Sequence, residues 1–136
     1  MQVFLDTNVF LYAAGASHPL REACARVLRR VAEGSLDATI SAEVIQEILY
    51  VLIRRGRRED ALRLASDLTS LFPDLLAVTR DDVAEACELL RRYPRLSVRD
   101  AVHLGTMLRN GLRTVVSVDS DFDQVSEIQR IEPSAI

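Results

Sequence analysis

The chain contains no lysine, and all 17 of its basic residues are arginines. This absence excludes a Schiff-base lysine, the lysine of a nucleotide-binding P-loop and lysine-assisted phosphoryl transfer. The two cysteines, Cys24 and Cys87, lack the Cys-x-x-Cys spacing of metal and redox sites. We therefore expect two buried thiols rather than a disulfide or a thiolate metal site.

Long apolar runs are also absent. The most apolar stretch, residues 44–55, is too short to span a bilayer and contains Glu47. The N-terminus has no basic segment followed by an apolar one, so we expect no signal peptide, no membrane contact and a cytoplasmic protein. With 17 basic and 20 acidic residues the net charge is -3, which gives no overall basic character of the kind typical of nucleic-acid-binding proteins.

Short apolar segments alternate with amphipathic ones along the 136 residues. The pattern predicts strands at residues 3–5, 37–40, 75–79, 114–118 and 129–131. It predicts helices at residues 19–33, 42–55, 58–71, 80–93 and 98–110. Such alternation is typical of an α/β fold, so we expect one domain over residues 1–136, with a mostly parallel central sheet of four or five strands flanked by helices.

Acidic residues stand at corresponding places in this pattern. Asp6 follows the first strand and Asp119 follows the strand at 114–118. The carboxyl ends of parallel strands meet at one edge of a sheet, where binding sites form. Glu47 lies at the border of the apolar face of the helix after Ser41, and Asp100 does so in the first turn of the last helix. The sequence therefore predicts that these acids converge.

Four ionised carboxylates cannot converge without compensation, because two negative charges 4 Å apart repel by roughly 4 kcal/mol at an effective dielectric of 20. Hard divalent cations such as Mg²⁺ and Mn²⁺ bind carboxylate oxygens and retain several waters. Such an ion can activate water and neutralise charge on a phosphodiester. Metal-assisted hydrolysis is the chemistry that these residues best support.

Each acid also has a purely structural interpretation, which the sequence leaves open. Asp6 can start a turn or cap a following helix. Glu47 can be a solvated helix residue, and Asp100 fits a capping box with Ser97. Asp119 ends a strand at a turn, where Asp is common.

The segment "DSDFD" at residues 119–123 does not fit a calcium-binding EF-hand loop, because Gln124 and Arg130 occupy its sixth and twelfth positions. Asp121 remains a candidate that assists a metal site, and Asp123 is predicted to be an acid at a helix start. His103 falls opposite the apolar face of its helix, which predicts a surface position rather than a metal ligand.

A run of basic residues follows residue 53 and consists of Arg54, Arg55, Arg57 and Arg58. One interpretation is a solvated helix end, where the helix dipole favours positive charge. The other is a patch that contacts the phosphates of a nucleic acid.

Four segments together resemble one known family: "FLDTNVFLYA" at 4–13, "SAEVIQEILYVL" at 41–52, "SVRDAVHLGTML" at 97–108 and "VVSVDSDFDQV" at 115–125. In order and spacing they resemble the PIN-domain family, and within it the VapC-type toxins of toxin–antitoxin pairs. The resemblance implies a parallel sheet flanked by helices and a ribonuclease that depends on Mg²⁺ or Mn²⁺.

The resemblance also implies roles for individual residues. The metal-binding and catalytic acids would be Asp6, Glu47, Asp100 and Asp119. Thr7, Asn8 and Ser117 match small polar positions that support such a site. Members of this family commonly form homodimers and are inhibited by an antitoxin whose tail enters the acidic groove.

Two enzyme classes with an aspartate after the first strand are excluded. Haloacid-dehalogenase-type phosphatases need a second Asp two residues later, where this chain has Asn8, and they also need a lysine. Response-regulator receivers need a lysine as well. The remaining alternative to a ribonuclease is a degenerate PIN-type scaffold that binds RNA or a protein without cutting.

Overall fold

The computed structural model describes residues 1–136 and contains a four-stranded, all-parallel sheet with the strand order β2-β1-β3-β4. The strands are β1 (Val3–Leu5), β2 (Ala38–Thr39), β3 (Thr114–Val116) and β4 (Gln129–Ile131). The α-helices are α1 (Thr7–Ala14), α2 (Arg21–Ala32), α3 (Ala42–Arg54), α4 (Arg58–Leu71), α5 (Arg80–Arg92) and α6 (Val98–Arg109). Short 3-10 helices cover Ser120–Gln124 and Pro133–Ala135. The α/β class and the parallel sheet are confirmed.

The first strand lies inside the sheet rather than at its edge. Phe4 of β1 pairs with Thr39 of β2 on one side and with Val115 of β3 on the other. All three residues of β1 are buried. Strands covered on both faces are continuously apolar instead of alternating, which explains the run "VFL". Asp6, the residue after β1, therefore lies in the middle of the carboxyl edge of the sheet.

Helix α1 begins directly after β1 and was not among the helices expected from the sequence. Asp6 is its N-cap, and the Asp6 Oδ1 accepts a hydrogen bond of 2.8 Å from the Thr7 amide. The capping interpretation of Asp6 is thus confirmed. The eight residues of α1 are too short and too apolar for a clear helical periodicity, which is why the sequence pattern did not reveal the helix.

The strand predicted at residues 75–79 is wrong. Only Leu76 pairs with the sheet region, through a single parallel bridge to Ser41. The Leu76 amide donates to the Ile40 carbonyl and the Ala42 amide donates to the Leu76 carbonyl. The pairing ends there because Ser41 is already the N-cap of α3, so no extended partner remains.

Helix α6 is enclosed on several sides. It packs against α5 so closely that a Cβ at Gly105 would lie 2.5 Å from the Asp82 carbonyl oxygen. A side chain there would separate the two helices. The buried residues of α6 consequently include almost every position in its middle, namely Ala101, His103, Leu104, Gly105, Thr106 and Met107.

Both cysteines are free thiols, as expected, but only Cys24 is buried. Burial raises the pKa of the Cys24 thiol to about 11. The expectation that Cys87 is buried is wrong, because α5 turns Ala86 and Leu89 toward the core and leaves Cys87 exposed. None of the helices combines the length and the apolar character needed to cross a lipid bilayer.

Candidate active site

The predicted acids meet in a cleft of about 130 Å³ at the carboxyl end of the sheet. The residues that line it are Asp6, Thr7, Asn8, Leu11, Glu47, Val51, Asp100 and Asp119. The acids, together with His103, form two groups of potential metal ligands, and within each group the ligand atoms lie within 4.8 Å of one another. One group consists of Asp6, Glu47 and His103, and the other consists of Asp100, Asp119 and Asp121. The convergence expected from the strand ends is therefore found, and Asp121 joins it.

Asp6 is held by hydrogen bonds from three directions. In addition to the Thr7 amide, its carboxylate accepts bonds on Oδ2 from the Ser117 hydroxyl at 2.7 Å and from the Asn8 side-chain amide at 2.9 Å. The side chain is almost fully buried. Burial raises the pKa of Asp6, against the lowering effects of His103, Ser117 and the Thr7 amide.

Ser117 connects the two sides of the cleft. Its Oγ accepts hydrogen bonds from the Asn8 side-chain amide at 3.1 Å and from the Asp119 backbone amide at 3.0 Å. Asp119 in turn caps the 3-10 helix, because its Oδ1 accepts a bond of 2.8 Å from the Asp121 amide. The small polar residues expected around the site thus fix the position of Asp6 relative to Asp119.

His103 is the site residue that sequence reasoning missed. The prediction of a surface position is wrong: the side chain is 0% exposed and its Nε2 lies 3.1 Å from Glu47 Oε1 and 3.9 Å from Asp6 Oδ1. The helical-face argument assumed that the side of α6 opposite its apolar face meets solvent, whereas Phe4 of β1 and Glu47 of α3 cover it. The small and apolar residues that surround His103 in the chain, Gly105 among them, were the available signal of an enclosed helix.

Glu47 and His103 stabilise each other's charged forms. Burial is the largest single cause and opposes both charges, but the hydrogen bond between the two side chains and the smaller favourable contributions of their neighbours together outweigh it. The pKa of Glu47 is therefore lowered and the pKa of His103 is raised, the latter also because Asp6 is close. The solvated-acid interpretation of Glu47 is wrong, since its carboxylate lies inside the cleft on this buried imidazole.

Asp100 has the least compensated carboxylate. Its backbone amide donates to the Ser97 hydroxyl at 3.1 Å, but no hydrogen bond returns from the Ser97 amide to its carboxylate. The capping box is therefore only half formed, and the carboxylate remains available. Burial raises the pKa of Asp100 from 3.8 to about 7, and the negative charges of Asp6 and Asp119 act in the same direction.

The raised pKa of Asp100 gives a pH-dependent stability. Folded protein binds this proton more tightly than unfolded protein, so stability falls as the pH rises from about 4 toward 7. In the presence of a chelator, we expect the unfolding temperature of Asp100→Asn to equal that of the parent at pH 4.5 and to exceed it at pH 8. Thermal unfolding across this pH range measures the gap. Exposed Asp67→Asn is the control, and a gap that is independent of pH would contradict the assignment.

The other charged residues singled out in the sequence do not line the cleft. Asp123, in the first turn of the 3-10 helix as expected, also pairs with the Arg130 guanidinium through contacts of 2.8 and 3.0 Å. Within the basic run, Arg54 hydrogen-bonds to Tyr50 and Arg57 pairs with Asp60, whereas Arg55 and Arg58 form no ion pair. The run spans the end of α3 and the start of α4, beyond the cleft-lining residues.

The donor set fits a hard divalent cation. It consists of carboxylate oxygens, and Asp6 Oδ1, which accepts only the bond from the Thr7 amide, retains a lone pair for a cation. Burial is the chief cause that raises the pKa of Asp6 and of Asp100, and the nearby His103, which acts in the opposite direction, does not offset it. A bound cation would provide the missing compensation.

A family model for the PIN domain matches residues 3–128. Ribonuclease VapC13 of Mycobacterium tuberculosis is 34% identical over 130 residues, which cover 95% of this chain and 98% of the relative. The chain belongs to the PIN-domain family, in its VapC branch. Ribonuclease VapC23 of the same species is 38% identical over 120 residues, covering 86% and 92% of the two chains.

Solved structures also match this PIN domain. A toxin–antitoxin complex from Klebsiella pneumoniae aligns with a TM-score of 0.71 at 18% identity, covering 98% of this chain and 99% of that chain. At this identity the match shows the fold alone. The PIN fold expected from the four sequence segments is thus confirmed by both kinds of comparison.

Proposed function

We propose that this PIN-domain protein is a divalent-metal-dependent endoribonuclease and the toxin of a VapBC-type toxin–antitoxin pair. The observation that carries the proposal is the convergence of buried and half-buried carboxylates at the carboxyl edge of the sheet. Relatives that are named ribonucleases and that match almost the whole chain support it.

The residues that would hold the ion are the four acids of the cleft, Asp6, Glu47, Asp100 and Asp119, with Asp121 as a further ligand. We propose Mg²⁺ or Mn²⁺, because these ions favour carboxylate oxygens. When bound, the ion supplies an activated water molecule and neutralises charge on the scissile phosphodiester.

The protein's own residues orient this set. Ser117 and Asn8 donate to Oδ2 of Asp6 and so fix the orientation of its carboxylate. The Thr7 amide holds the other oxygen. His103 fixes Glu47 from below the cleft. Such supporting contacts hold ligands in one geometry and so reduce the reorganisation that binding requires.

RNA must approach a cleft that carries negative charge, so positive side chains nearby are required to bind its backbone. The basic run Arg54, Arg55, Arg57 and Arg58 is the candidate that the sequence offers. Arg55 and Arg58 are exposed and form no ion pair, which leaves their guanidinium groups available for phosphates.

The proposal includes two protein partners and a location. A cognate antitoxin is supported by the match to a toxin–antitoxin complex. A second copy of the chain, giving a homodimer, is proposed from the family resemblance. A cytoplasmic location follows because RNA is the substrate.

The test uses purified protein and total bacterial RNA. We expect cleavage in Mg²⁺ or Mn²⁺, loss of cleavage in EDTA, and recovery when the ion is restored. Calorimetric titration with Mn²⁺ adds a direct readout of binding. Absence of both cleavage and acid-dependent Mn²⁺ binding would overturn the proposal in favour of the degenerate scaffold.

A further inference from the structure

Two guanidinium groups meet on one aromatic ring beside the cleft. The Arg99 guanidinium carbon lies 4.4 Å from the centroid of the Tyr50 ring, and that of Arg54 lies 5.6 Å from it. Arg54 also donates to the Tyr50 hydroxyl at 2.9 Å. We name these three residues, Tyr50, Arg54 and Arg99, the arginine–tyrosine ridge.

The ridge carries more positive charge than its neighbours neutralise. Arg54 has no carboxylate partner, and Arg99 has only Glu47, whose Oε2 lies 3.5 Å from Arg99 Nη1. The tyrosine ring attracts both cations, but a neutral ring does not cancel their charge. Their combined field lowers the pKa of Tyr50, chiefly through the hydrogen bond from Arg54. Such a pair of arginines is suited to binding an anion.

The ridge also adjoins the catalytic acids in the chain. Tyr50 follows Glu47 by one turn of α3, and Arg99 directly precedes Asp100 at the start of α6. With a rise of about 1.5 Å per residue, Arg54 lies roughly 10 Å along α3 from Glu47. A strand whose phosphate is at the acids would place its neighbouring phosphates along this ridge.

We propose that the ridge is a binding subsite for single-stranded RNA next to the scissile bond. Arg54 and Arg99 bind backbone phosphates, and the ring of Tyr50, which is 41% exposed, stacks on an unpaired base. Unpaired bases stack on aromatic rings, whereas bases inside a duplex are not accessible to them. The inference rests on the proposed ribonuclease function and assigns it a substrate form.

The test measures RNA binding without cleavage. A fluorescent, mixed-sequence single-stranded RNA is titrated with the Asp6→Asn protein in Mg²⁺, and anisotropy gives the Kd at several salt concentrations. Arg54→Ala and Arg99→Ala are each added to this background. Arg113→Ala is the matched control, because Arg113 is exposed, directly precedes β3 at the opposite end of the sheet and forms no ion pair.

We expect each ridge substitution to weaken binding by about fivefold, the upper range for an exposed ion pair. The slope of log K against log salt should become shallower by about 0.7 for each phosphate that an arginine no longer neutralises. Tyr50→Leu should weaken binding by roughly fivefold or more because it removes the stacking surface, whereas Tyr50→Phe retains the ring and should bind nearly as the reference does.

The proposal would be overturned if the ridge variants had the same Kd and the same salt slope as Arg113→Ala. A polyglutamate peptide is titrated in the same way as a second ligand. The proposal would equally be overturned if the ridge substitutions weakened binding of this peptide but left RNA binding unchanged, since the ridge would then serve an acidic protein partner. Because cleavage by the parent protein is measured separately, a parent that cuts RNA while the ridge has no effect refutes the subsite alone.

Discussion

Asp6→Asn is expected to abolish RNA cleavage while leaving the fold intact. Removing an outer-shell partner typically costs roughly 10- to 100-fold in metal affinity or activity, so the loss of a direct ligand should exceed about a hundredfold. The asparagine keeps an oxygen that can accept the Thr7 amide, so the cap of α1 survives.

The same substitution should change the stability of the protein little in chelator, because two effects oppose each other. Burial raises the pKa of Asp6, so a neutral amide avoids the cost of a buried ionised carboxylate. The new NH2 group, however, replaces Oδ2, which accepts bonds from Asn8 and Ser117. Thermal unfolding should give a midpoint close to that of the parent, and calorimetry should show weakened Mn²⁺ binding.

The exposed acid Asp67 provides the control, since Asp67→Asn should cut RNA as the parent does. If Asp6→Asn protein cut RNA at the parental rate in Mg²⁺ or Mn²⁺, the assignment of Asp6 as a metal ligand would be refuted. A large drop in the unfolding midpoint would instead show that the carboxylate is mainly structural.

His103→Leu is expected to be the most destabilising of the substitutions considered. It removes the cation that balances Glu47 and lies 3.9 Å from Asp6 Oδ1. Breaking a buried pair by deleting one partner typically costs about 3–5 kcal/mol of unfolding free energy. Glu47 retains some solvent contact, which places the expected loss near the lower end of that range.

Two further variants separate charge from packing. Met107→Leu changes an equally buried residue one turn further along α6 that contacts none of the acids, and should cost less than about 1.5 kcal/mol. His103→Gln keeps a hydrogen-bond donor toward Glu47 but removes the charge. Its loss of unfolding free energy should lie between the losses of His103→Leu and Met107→Leu. Urea unfolding in chelator provides the free energies.

The sign of the pH dependence adds a second check. Because the pKa of His103 is raised by folding, its stabilising contribution is complete below the unfolded pKa and disappears as the pH rises through the folded pKa. The difference in unfolding free energy between the parent and His103→Leu should therefore become smaller at high pH. A leucine variant as stable as Met107→Leu would show that the histidine is only a packing residue.

The location of the acids could be predicted because it depends on a simple regularity. Asp6 and Asp119 follow strands that pair side by side, with Leu5 opposite Val116, so their proximity needed only the parallel order of the strands. Glu47 and Asp100 were found from helical spacing relative to apolar neighbours. The first inference uses the alternation of strands and helices and the second uses helical periodicity, and a single sequence contains both.

The errors concern features set by tertiary packing. A helical face shows which side of α6 is apolar, but not that β1 and α3 cover the other side, so His103 was misplaced. Residues 75–79 have the composition of a strand. Because α3 starts at Ser41, however, only Leu76 of this segment finds a residue to pair with. The approach of Arg99 to Tyr50 joins helices distant in sequence, and no local pattern encodes it.

The central place of β1 has a consequence for synthesis on the ribosome. Its first three residues emerge early, but their partner β3 is translated more than a hundred residues later, and Ser117 and Asp119 follow it. A contact between such distant segments delays the completion of folding. The nascent polypeptide therefore lacks an assembled cleft until translation has passed these positions.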